Sequence, residues 1–315
     1  MKKLKIIFAG TANFSEKHLS ALIKYNYNII AVITQPDRPF GRGQKIIFSP
    51  VKQLAIKNNL PVLQPLNLNN EKFYKIILNF QADIMIVVAY GKIIPQIILS
   101  IFKKGCINVH ASLLPRWRGP TPIQSAILFG DKKTGISVIK MNDKVDSGDI
   151  ITSNECEIKI TDTTKKLSNK LSKLGIQTLL DALYKIDNNI DSSKKQNEQY
   201  ATFSKKILKK EALLNSNKNA KFLERLIRAF NPWPICYFVL NNIHIKVWQA
   251  SIIKNGPCKN TTGRIISINK KGIQIETKQD ILNIEKIQFP GKNILNIQQI
   301  ITSNKNNFKI GKILF

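Results

Sequence analysis

Residues 108–118 read Asn-Val-His-Ala-Ser-Leu-Leu-Pro-Arg-Trp-Arg and place an amide and an imidazole two positions apart, where an apolar segment meets a Pro-containing loop. If residues 105–110 form a β-strand, its period of two puts Asn108 and His110 on the same face at the strand's carboxyl end. Open α/β sheets bind ligands at that end. The stretch therefore predicts a strand of such a sheet that ends in a functional site. The alternative is that Asn108 and His110 only form hydrogen bonds to a loop.

The rest of the first half has the pattern of an α/β fold. Short apolar runs rich in Ile and Val, separated by helical stretches, cover residues 4–9, 28–34, 84–89, 106–109 and 136–141. Ser49 and Pro50 supply an N-cap and a first-turn proline for a helix that begins near residue 51. An amphipathic pattern predicts a longer helix over residues 163–186. This alternation is typical of a Rossmann-like, doubly wound parallel sheet.

The pattern changes in the last third of the chain. Residues 187–199 form a polar tract, which indicates the start of an interdomain connection. After a predicted helix over residues 220–230, five short β-like runs follow, separated by Asn- and Gly-containing turns. Five such strands suit a small OB-like β-barrel. We expect a Rossmann-like domain over residues 1–189, a linker over 190–208 and a smaller barrel domain over 209–315.

Composition limits the partners. The net charge of +29 indicates an anionic partner, with RNA ahead of a membrane surface because no amphipathic anchor helix stands out. From residue 209 onward there are 18 Lys and Arg against five Asp and Glu, so the last third is the more basic part per residue. The joint abundance of Lys, Asn and Ile also fits drift in base composition, which raises the charge without a partner. No signal peptide or membrane span is predicted, and we expect a cytoplasmic protein.

The cysteine pattern argues against a metal site. Four cysteines lie far apart, never as Cys-x-x-Cys, and the three histidines do not cluster with them. We expect neither disulfides nor a metal. Cys106 lies four residues before His110 and could be read as a nucleophile, but a buried structural thiol is the interpretation that we favour.

Two further segments carry polar groups that suit a site. Residues 35–45 combine Pro and Gly with Arg38, Arg42 and Lys45, as a loop that contacts phosphates requires. Residues 141–149 offer three aspartates within seven positions. A solvated turn is the alternative for both segments. Residues 8–11 end the first strand like a nucleotide-binding turn, but the Gly-x-Gly-x-x-Gly spacing is absent, which disfavours NAD binding.

Taken together, these motifs resemble the methionyl-tRNA formyltransferase family almost from end to end. The segments that carry the resemblance are residues 8–11, 35–39, 41–43, 88–91, 107–110, 112–119, 122–124 and 146–149. Other formyltetrahydrofolate-dependent enzymes share these first-domain motifs. Residues 227–234, Ile-Arg-Ala-Phe-Asn-Pro-Trp-Pro, narrow the choice because they resemble the opening of the family's tRNA-binding C-terminal domain.

The resemblance implies transfer of a formyl group from 10-formyltetrahydrofolate to the amino group of methionine on initiator tRNA. By resemblance, Asn108 donates to the formyl oxygen, His110 stabilises the tetrahedral intermediate, and Asp146 orients and tunes the imidazole or holds a water that relays a proton. The same resemblance implies that folate binds at Ser112, Leu113, Leu114 and Pro115. It further implies that tRNA is contacted by Arg38, Arg42 and Lys45. We expect that no metal takes part and that the protein is a monomer.

Three alternatives stay open from the sequence. A formyltransferase that acts on a glycinamide ribonucleotide or a sugar nucleotide would share Asn108, His110 and Asp146 but would not require the basic, β-rich last third. A formyltetrahydrofolate hydrolase would use water as the acceptor. A non-catalytic RNA-binding protein derived from an enzyme fits the charge, but the three site residues are intact.

Overall fold

A seven-stranded sheet organises the first half of the chain. The computed structural model describes residues 4–40, 45–258, 261–302 and 308–315, and we number its strands and helices along the chain. From one edge of the sheet to the other, the strands are β5 (Val62–Leu63), β2 (Asn28–Ile33), β1 (Lys5–Gly10), β6 (Ile84–Val88), β7 (Cys106–His110), β8 (Lys133–Lys140) and β9 (Ile150–Glu157). The strands from β5 to β7 pair in parallel, whereas β8 is antiparallel to both of its neighbours. The sheet is thus parallel with an antiparallel edge.

The strand order creates a switch point beside β1. The chain runs outward from β1 to β2 and β5, then returns to β6 on the other side of β1. Loops that leave neighbouring parallel strands in opposite directions open a crevice at the strands' carboxyl ends, where α/β proteins bind ligands. The segments after β1, β6 and β7 all lie at this edge. The topology therefore puts Asn108 and His110, at the end of β7, near the expected binding crevice.

Helices and one hairpin complete the first half. They are α1 (Asn13–Lys24), the hairpin β3 (Arg38–Phe40) and β4 (Lys45–Ile47), α2 (Pro50–Lys57), α3 (Glu71–Asn79), α4 (Gln96–Leu99), α5 (Pro122–Phe129) and α6 (Thr164–Asp187). The predicted start of α2 is confirmed, since Ser49 Oγ accepts the backbone N–H of Lys52 at 3.1 Å and Pro50 is in the first turn. The predicted long helix over residues 163–186 is confirmed by α6.

The last third forms an antiparallel sheet. It contains α7 (Ala220–Ala229), β10 (Tyr237–Leu240), β11 (Ile243–Pro257), β12 (Ile265–Asn269), β13 (Gly272–Glu276), β14 (Gln279–Gln288), β15 (Leu295–Asn296) and α8 (Ile297–Thr302). The strands follow the order β10-β11-β14-β13-β12, and β15 pairs with β14. The prediction of an α/β, Rossmann-like domain followed by a smaller β domain is confirmed, since the second domain is built on an antiparallel sheet. The OB-like barrel expected for it stays a prediction.

The chain divides into two compact units, and each unit consists of three separate segments of the sequence. The first unit consists of Met1–Pro122, Lys133–Glu157 and Ser168–Lys205, and the second of Ile123–Lys132, Ile158–Leu167 and Lys206–Phe315. Most of α5 and the first turn of α6 therefore belong to the second unit. The boundaries expected from the sequence at residues 189 and 209 stay a prediction.

Candidate functional site

Three side chains meet at the carboxyl end of β7. Asn108 Nδ2 donates to Oδ1 of Asp146 at 3.1 Å. His110 Nδ1 lies 3.5 Å from the other carboxylate oxygen, Oδ2 of the same aspartate. The two β7 residues share a face because the strand is extended, as the period of two predicted. Asp146 arrives from the loop between β8 and β9, 38 residues later in the chain than Asn108. The structure thus brings the three predicted residues into one cluster.

The ring of His110 is buried, and each of its two nitrogens faces an oxygen atom. Only 5% of the residue is exposed. Its Nε2 lies 2.9 Å from the backbone oxygen of Trp117. A carbonyl oxygen only accepts hydrogen bonds, so Nε2 carries the hydrogen in this geometry. In the neutral ring Nδ1 then has the free lone pair, and Nδ1 is the nitrogen that faces Asp146 and can exchange a proton.

The carboxylate of Asp146 accepts hydrogen bonds from two N–H groups, one at each oxygen. Its Oδ2 accepts the backbone N–H of Gly119 at 2.7 Å in addition to facing His110. The residue has a φ of 51°, in the left-handed region that few non-glycine residues adopt. Residues in such conformations persist where the surroundings determine them, and they cluster at functional sites. The backbone of Asp146 is therefore held in place from outside its own turn.

Trp117 connects the loop after β7 to the imidazole. It has a φ of 61°, and its side chain is buried beside the guanidinium of Arg116, 4.5 Å from the ring centre. Its backbone N–H donates to Oγ1 of Thr202 at 2.9 Å, while its carbonyl contacts His110. A bulky residue at positive φ is strained. This conformation turns the carbonyl toward the imidazole.

The predicted folate-binding segment, residues 112–115, lies just after β7 in the chain. Ser112 is fully buried, and its Oγ donates to the backbone oxygen of Arg116 at 2.5 Å. Ser137 on β8 donates to the carbonyl of Ser112 at 2.9 Å and accepts the N–H of Leu114 at 3.1 Å. Leu114 is buried, whereas Leu113 and Pro115 are partly exposed. The backbone of this segment is thus already bonded to the sheet, which leaves its apolar side chains as the surface that it can offer to a ligand.

The loops that follow β1, β2 and β6 are joined at the switch point by the backbone carbonyl of Tyr90. The carbonyl of Tyr90, after β6, accepts Oγ1–H of Thr11 at 3.0 Å and Nε2–H of Gln35 at 3.2 Å. Burial raises the pKa of the Tyr90 hydroxyl to about 12, so it is neutral at physiological pH. Within the described part of the chain, Tyr90 Oη and Gln35 Oε1 are buried without a hydrogen-bond partner. These contacts tie the loops after β1, β2 and β6 together.

The predicted tRNA-contacting residues lie in and beside the β3–β4 hairpin. Arg38 is exposed on β3, and Lys45 begins β4. Arg42 lies outside the described residues. The neighbouring Asp37 is held by Lys52, whose hydrogen bond lowers the pKa of the Asp37 carboxyl, and by Gln64 at 3.0 Å. Asp37 therefore fixes the base of the hairpin rather than adding an acidic group to its tip.

Cys106 does not join the cluster. Its thiol is buried and faces the carbonyl of Leu99 at 3.8 Å, and burial raises its pKa to about 12. A thiol with this pKa is not ionised at neutral pH and is a poor nucleophile. The interpretation as a buried structural thiol is confirmed.

Sequence reasoning missed a second layer of polar groups behind the cluster. Gln196 Nε2 donates to the backbone oxygens of Asp146 and Gly148, at 2.8 Å each. Thr202 contacts Trp117, as described above, and Arg118 contacts both Gln196 and Glu198. These groups lie 48 to 85 positions away from their partners. No local pattern could have indicated them, because each bond joins a polar tract to a distant loop.

The described residues contain neither a cluster of metal ligands nor a helix that could span a membrane. Among residues 4–40, 45–258, 261–302 and 308–315, no three His, Cys, Asp or Glu side chains are placed to hold a metal ion together. In the same ranges, no helix combines the length and the apolar character that crossing a membrane requires.

Comparison with known proteins gives consistent matches over both halves. The family model described as formyl transferase matches residues 2–183, and the one described as formyl transferase, C-terminal domain, matches residues 206–305. The first match alone covers more than half of the 315 residues. It includes all three members of the cluster.

Similar full-length proteins carry one name. A methionyl-tRNA formyltransferase of Buchnera aphidicola subsp. Schizaphis graminum (strain Sg) is 63% identical over 314 residues, which are 100% of this chain and 100% of that protein. One from Buchnera aphidicola subsp. Acyrthosiphon pisum (strain Tuc7) is 60% identical with the same coverage. A solved N-formyltransferase of Helicobacter canadensis, in complex with folinic acid and dTDP-3-aminofucose, superposes with a TM-score of 0.65. It has 18% identity, and the match covers 89% of this chain and 98% of that chain. At that identity the likeness shows the fold alone.

Proposed function

Since the chain belongs to the methionyl-tRNA formyltransferases, which formylate methionyl-tRNA with 10-formyltetrahydrofolate, we propose that Asn108, His110 and Asp146 carry out this transfer. In the reaction the methionyl amine attacks the formyl carbon, a C–N bond forms, and the bond to folate N10 breaks. The amine loses a proton and the leaving nitrogen gains one. The observation that carries the proposal is that one carboxylate, on Asp146, contacts both the amide and the imidazole.

Asn108 is suited to the developing oxyanion. A side-chain amide has two N–H groups, and one of them is bonded to Asp146 at 3.1 Å. That bond fixes the amide plane and leaves the second N–H as a donor for the formyl oxygen. Preorganised donors of this kind stabilise tetrahedral intermediates without reorganising during the reaction.

His110 is suited to the proton transfer. Since Trp117 fixes the hydrogen on Nε2, the proton that moves is the one at Nδ1. When Nδ1 takes it, the imidazolium has a carboxylate oxygen 3.5 Å away and both of its N–H groups face acceptors. A positive charge at this point also stabilises the negative charge on the formyl oxygen. Asp146 orients the ring and holds this charge.

For folate we propose the segment Ser112, Leu113, Leu114 and Pro115. Their backbone bonds to Ser137 support a role as a shaped apolar wall for a flat heterocycle, with the leucines providing the covering surface. The test is the KM for the formyl donor. We expect Leu113→Ala, at the partly exposed leucine, to raise it by about 10-fold with a smaller change in the KM for tRNA.

For tRNA we propose contacts from Arg38, Arg42 and Lys45 at the acceptor end, and phosphate contacts from the basic second unit. Arginine has a planar fork that bridges phosphates or stacks on an unpaired base. Preference for the initiator follows if its weak first acceptor pair opens at lower cost. We expect Arg42→Ala to impair use of charged tRNA more than folate binding.

The first experiment is transfer of labelled formyl from 10-formyltetrahydrofolate to methionine-charged initiator tRNA, beside charged elongator tRNA and a reaction without tRNA. Wild-type protein should label the initiator selectively. His110→Ala should lose turnover by at least about 100-fold and keep its tRNA affinity. Near-normal turnover of this variant would show that the site assignment is wrong.

The proposal also includes a monomer that acts in the cytoplasm, where charged tRNA is found. Sedimentation equilibrium of the purified chain tests the first part. A single species near 35.7 kDa is the expected result, and a mass of twice this value contradicts it.

A further inference from the structure

We propose that Gln196 is a positioning residue for the reaction: it holds the turn that carries Asp146 and so sets the distance between that carboxylate and His110. This inference rests on the proposed catalytic function of Asp146. Gln196 Nε2 donates to the carbonyl oxygens of Asp146 and Gly148, at 2.8 Å each. The two bonds span the turn in which Asp146 has its positive φ. One amide group thus bonds to the carbonyl of the strained residue and to a second carbonyl two positions later.

The orientation of the Gln196 amide is itself determined. Arg118 donates to Gln196 Oε1 through Nε at 3.1 Å and Nη2 at 2.8 Å. The guanidinium offers only donors, so the amide oxygen must face it and the amide nitrogen must face the two carbonyls. Arg118 is buried, and it pairs with the carboxylate of Glu198 at 2.7 and 2.9 Å. The chain Glu198, Arg118, Gln196, Asp146 is therefore satisfied at each step.

The same segment holds the second catalytic side chain. We call residues 196–204 the brace. Within it, Thr202 accepts the N–H of Trp117 through Oγ1 and the N–H of Arg118 through its backbone oxygen, both at 2.9 Å. The carbonyl of Trp117 in turn fixes the His110 ring. Asp146 and His110 are thus positioned by one short stretch of chain, and their separation depends on it.

The substitution Gln196→Glu separates this role from folding. Glutamate has nearly the same shape and keeps an oxygen for Arg118, where the pair gains an ionic component. It removes the N–H donors and places a carboxylate oxygen against two carbonyl oxygens. The turn that carries Asp146 is then repelled while the rest of the brace stays bonded. A misplacement of about 1 Å in a catalytic site can cost about 100-fold in rate.

We expect Gln196→Glu to lower kcat by about 10- to 100-fold. The KM values for folate and tRNA should stay within about two-fold, because the brace contacts neither proposed binding segment through Gln196. The pH dependence of kcat should also change, since Asp146 sets the electrostatics around His110. The matched control is Gln177→Glu, which makes the same charge change at an exposed position of α6 outside the brace and should behave as wild type in all three measurements.

A merely structural role predicts a different set of results. In that case Gln196→Glu lowers the melting temperature and the fraction of active enzyme but leaves the pH profile of kcat unchanged, and this outcome overturns the proposal. An unchanged kcat overturns it as well. Should Gln196→Glu not fold, Gln196→Met takes its place with the same readouts, because it fills a similar volume and lacks the donor.

Asp146→Asn distinguishes failure of this inference from failure of the proposed site. If Asp146→Asn keeps wild-type turnover, the catalytic assignment is wrong, and the positioning role of Gln196 falls with it. If Asp146→Asn loses turnover while Gln196→Glu has the kcat and pH profile of the wild type, the site stands and only the positioning role is wrong. Loss of kcat in both, with unchanged KM values, is the result that we expect.

Discussion

The proposed role of Asn108 as a donor to the formyl oxygen can be tested by one substitution. We expect Asn108→Asp to lower kcat by about 100- to 1,000-fold, the usual cost of removing one oxyanion donor. The substitution keeps the shape of the side chain but removes both N–H groups. It also puts a second carboxylate where the amide now lies 3.1 Å from Asp146. Steady-state kinetics with saturating folate and tRNA measure the effect.

The control for this substitution is Asn142→Asp. Asn142 is exposed in the same loop as Asp146, and its Oδ1 accepts the hydroxyl of Ser147 at 2.9 Å and the N–H of Lys144 at 3.1 Å. Aspartate retains both acceptor bonds, so this variant should keep wild-type kcat. Equal losses in the two variants would mean that added negative charge, and not the missing donor, causes the effect.

His18 predicts a pH-dependent stability away from the site. It is fully buried on α1, Nδ1 donates to the carbonyl of Phe14 at 2.7 Å, and burial lowers its pKa to about 4. The unfolded chain binds a proton near the ordinary value of 6.5, so stability is lost as the pH falls from about 6.5 to about 4. The loss amounts to about 3 kcal/mol at the lower limit. Urea unfolding at a series of pH values measures it.

The variant His18→Gln isolates this contribution from the carboxylates that also titrate in acid. Its free energy of unfolding should fall less steeply between pH 6.5 and pH 4 than that of the wild type. His244→Gln, at an exposed position, is the matched control and should follow the wild-type curve. If the free energy of unfolding fell equally with pH in the wild type and in His18→Gln, His18 would not be the source of the pH dependence.

At the scale of elements, α1 and α6 approach closely at one glycine. A Cβ on Gly175 of α6 would lie 2.5 Å from Nε2 of His18. Alanine in a helix is otherwise favoured over glycine by about 1 kcal/mol. We expect the steric term to exceed this gain, so Gly175→Ala should destabilise the protein by about 1 to 3 kcal/mol. In a His18→Ala background the obstacle is gone, and Gly175→Ala should become stabilising.

This double-mutant cycle is measured by urea unfolding at neutral pH. If Gly175→Ala changed the free energy of unfolding in the same direction in both backgrounds, the imidazole of His18 would not be the obstacle between the two helices. A change of sign would show that the residue pair sets the spacing of α1 and α6.

Elements with local signals were predictable from the sequence. The helix α2 is specified by Ser49 and Pro50, and the α6 helix by its apolar stripe, because caps and periodicity act within a few residues. The β10 to β14 strands were visible as short apolar runs between turns. The edge strand β9 was not predicted, since its exposed face is polar and its pairing with β8 is set by a partner distant in sequence.

Of the candidate site, only the three clustered residues Asn108, His110 and Asp146 were predictable from the sequence. Asn108 and His110 share one strand, and Asp146 came from the family resemblance. Gln196 and Thr202 lie in and just after a tract that reads as polar and solvated, and their roles depend on hydrogen bonds to carbonyl and amide groups. Backbone groups of this kind carry no sequence signal, since every residue has them.

At the scale of the whole molecule, the charge of +29 has two sources to separate. One is contact with tRNA, and the other is drift in base composition, which the joint abundance of Lys, Asn and Ile indicates. Cations that contact phosphate release counterions from the nucleic acid when they bind, whereas cations in solvent do not. Salt dependence therefore counts the phosphates that are contacted, not the total charge.

We expect the Kd for methionyl-tRNA to rise by about 1,000-fold between about 50 and 200 mM salt, as for about six phosphate contacts. Filter binding at several salt concentrations gives the slope, and the KM for formyl donor, a small molecule with few charges, should change little over this range. A slope near zero would mean that charge does not hold the tRNA. A slope of about 20 would correspond to about 22 contacted phosphates. Nearly half of the 49 Lys and Arg residues would then act in binding, and drift would not account for most of the charge.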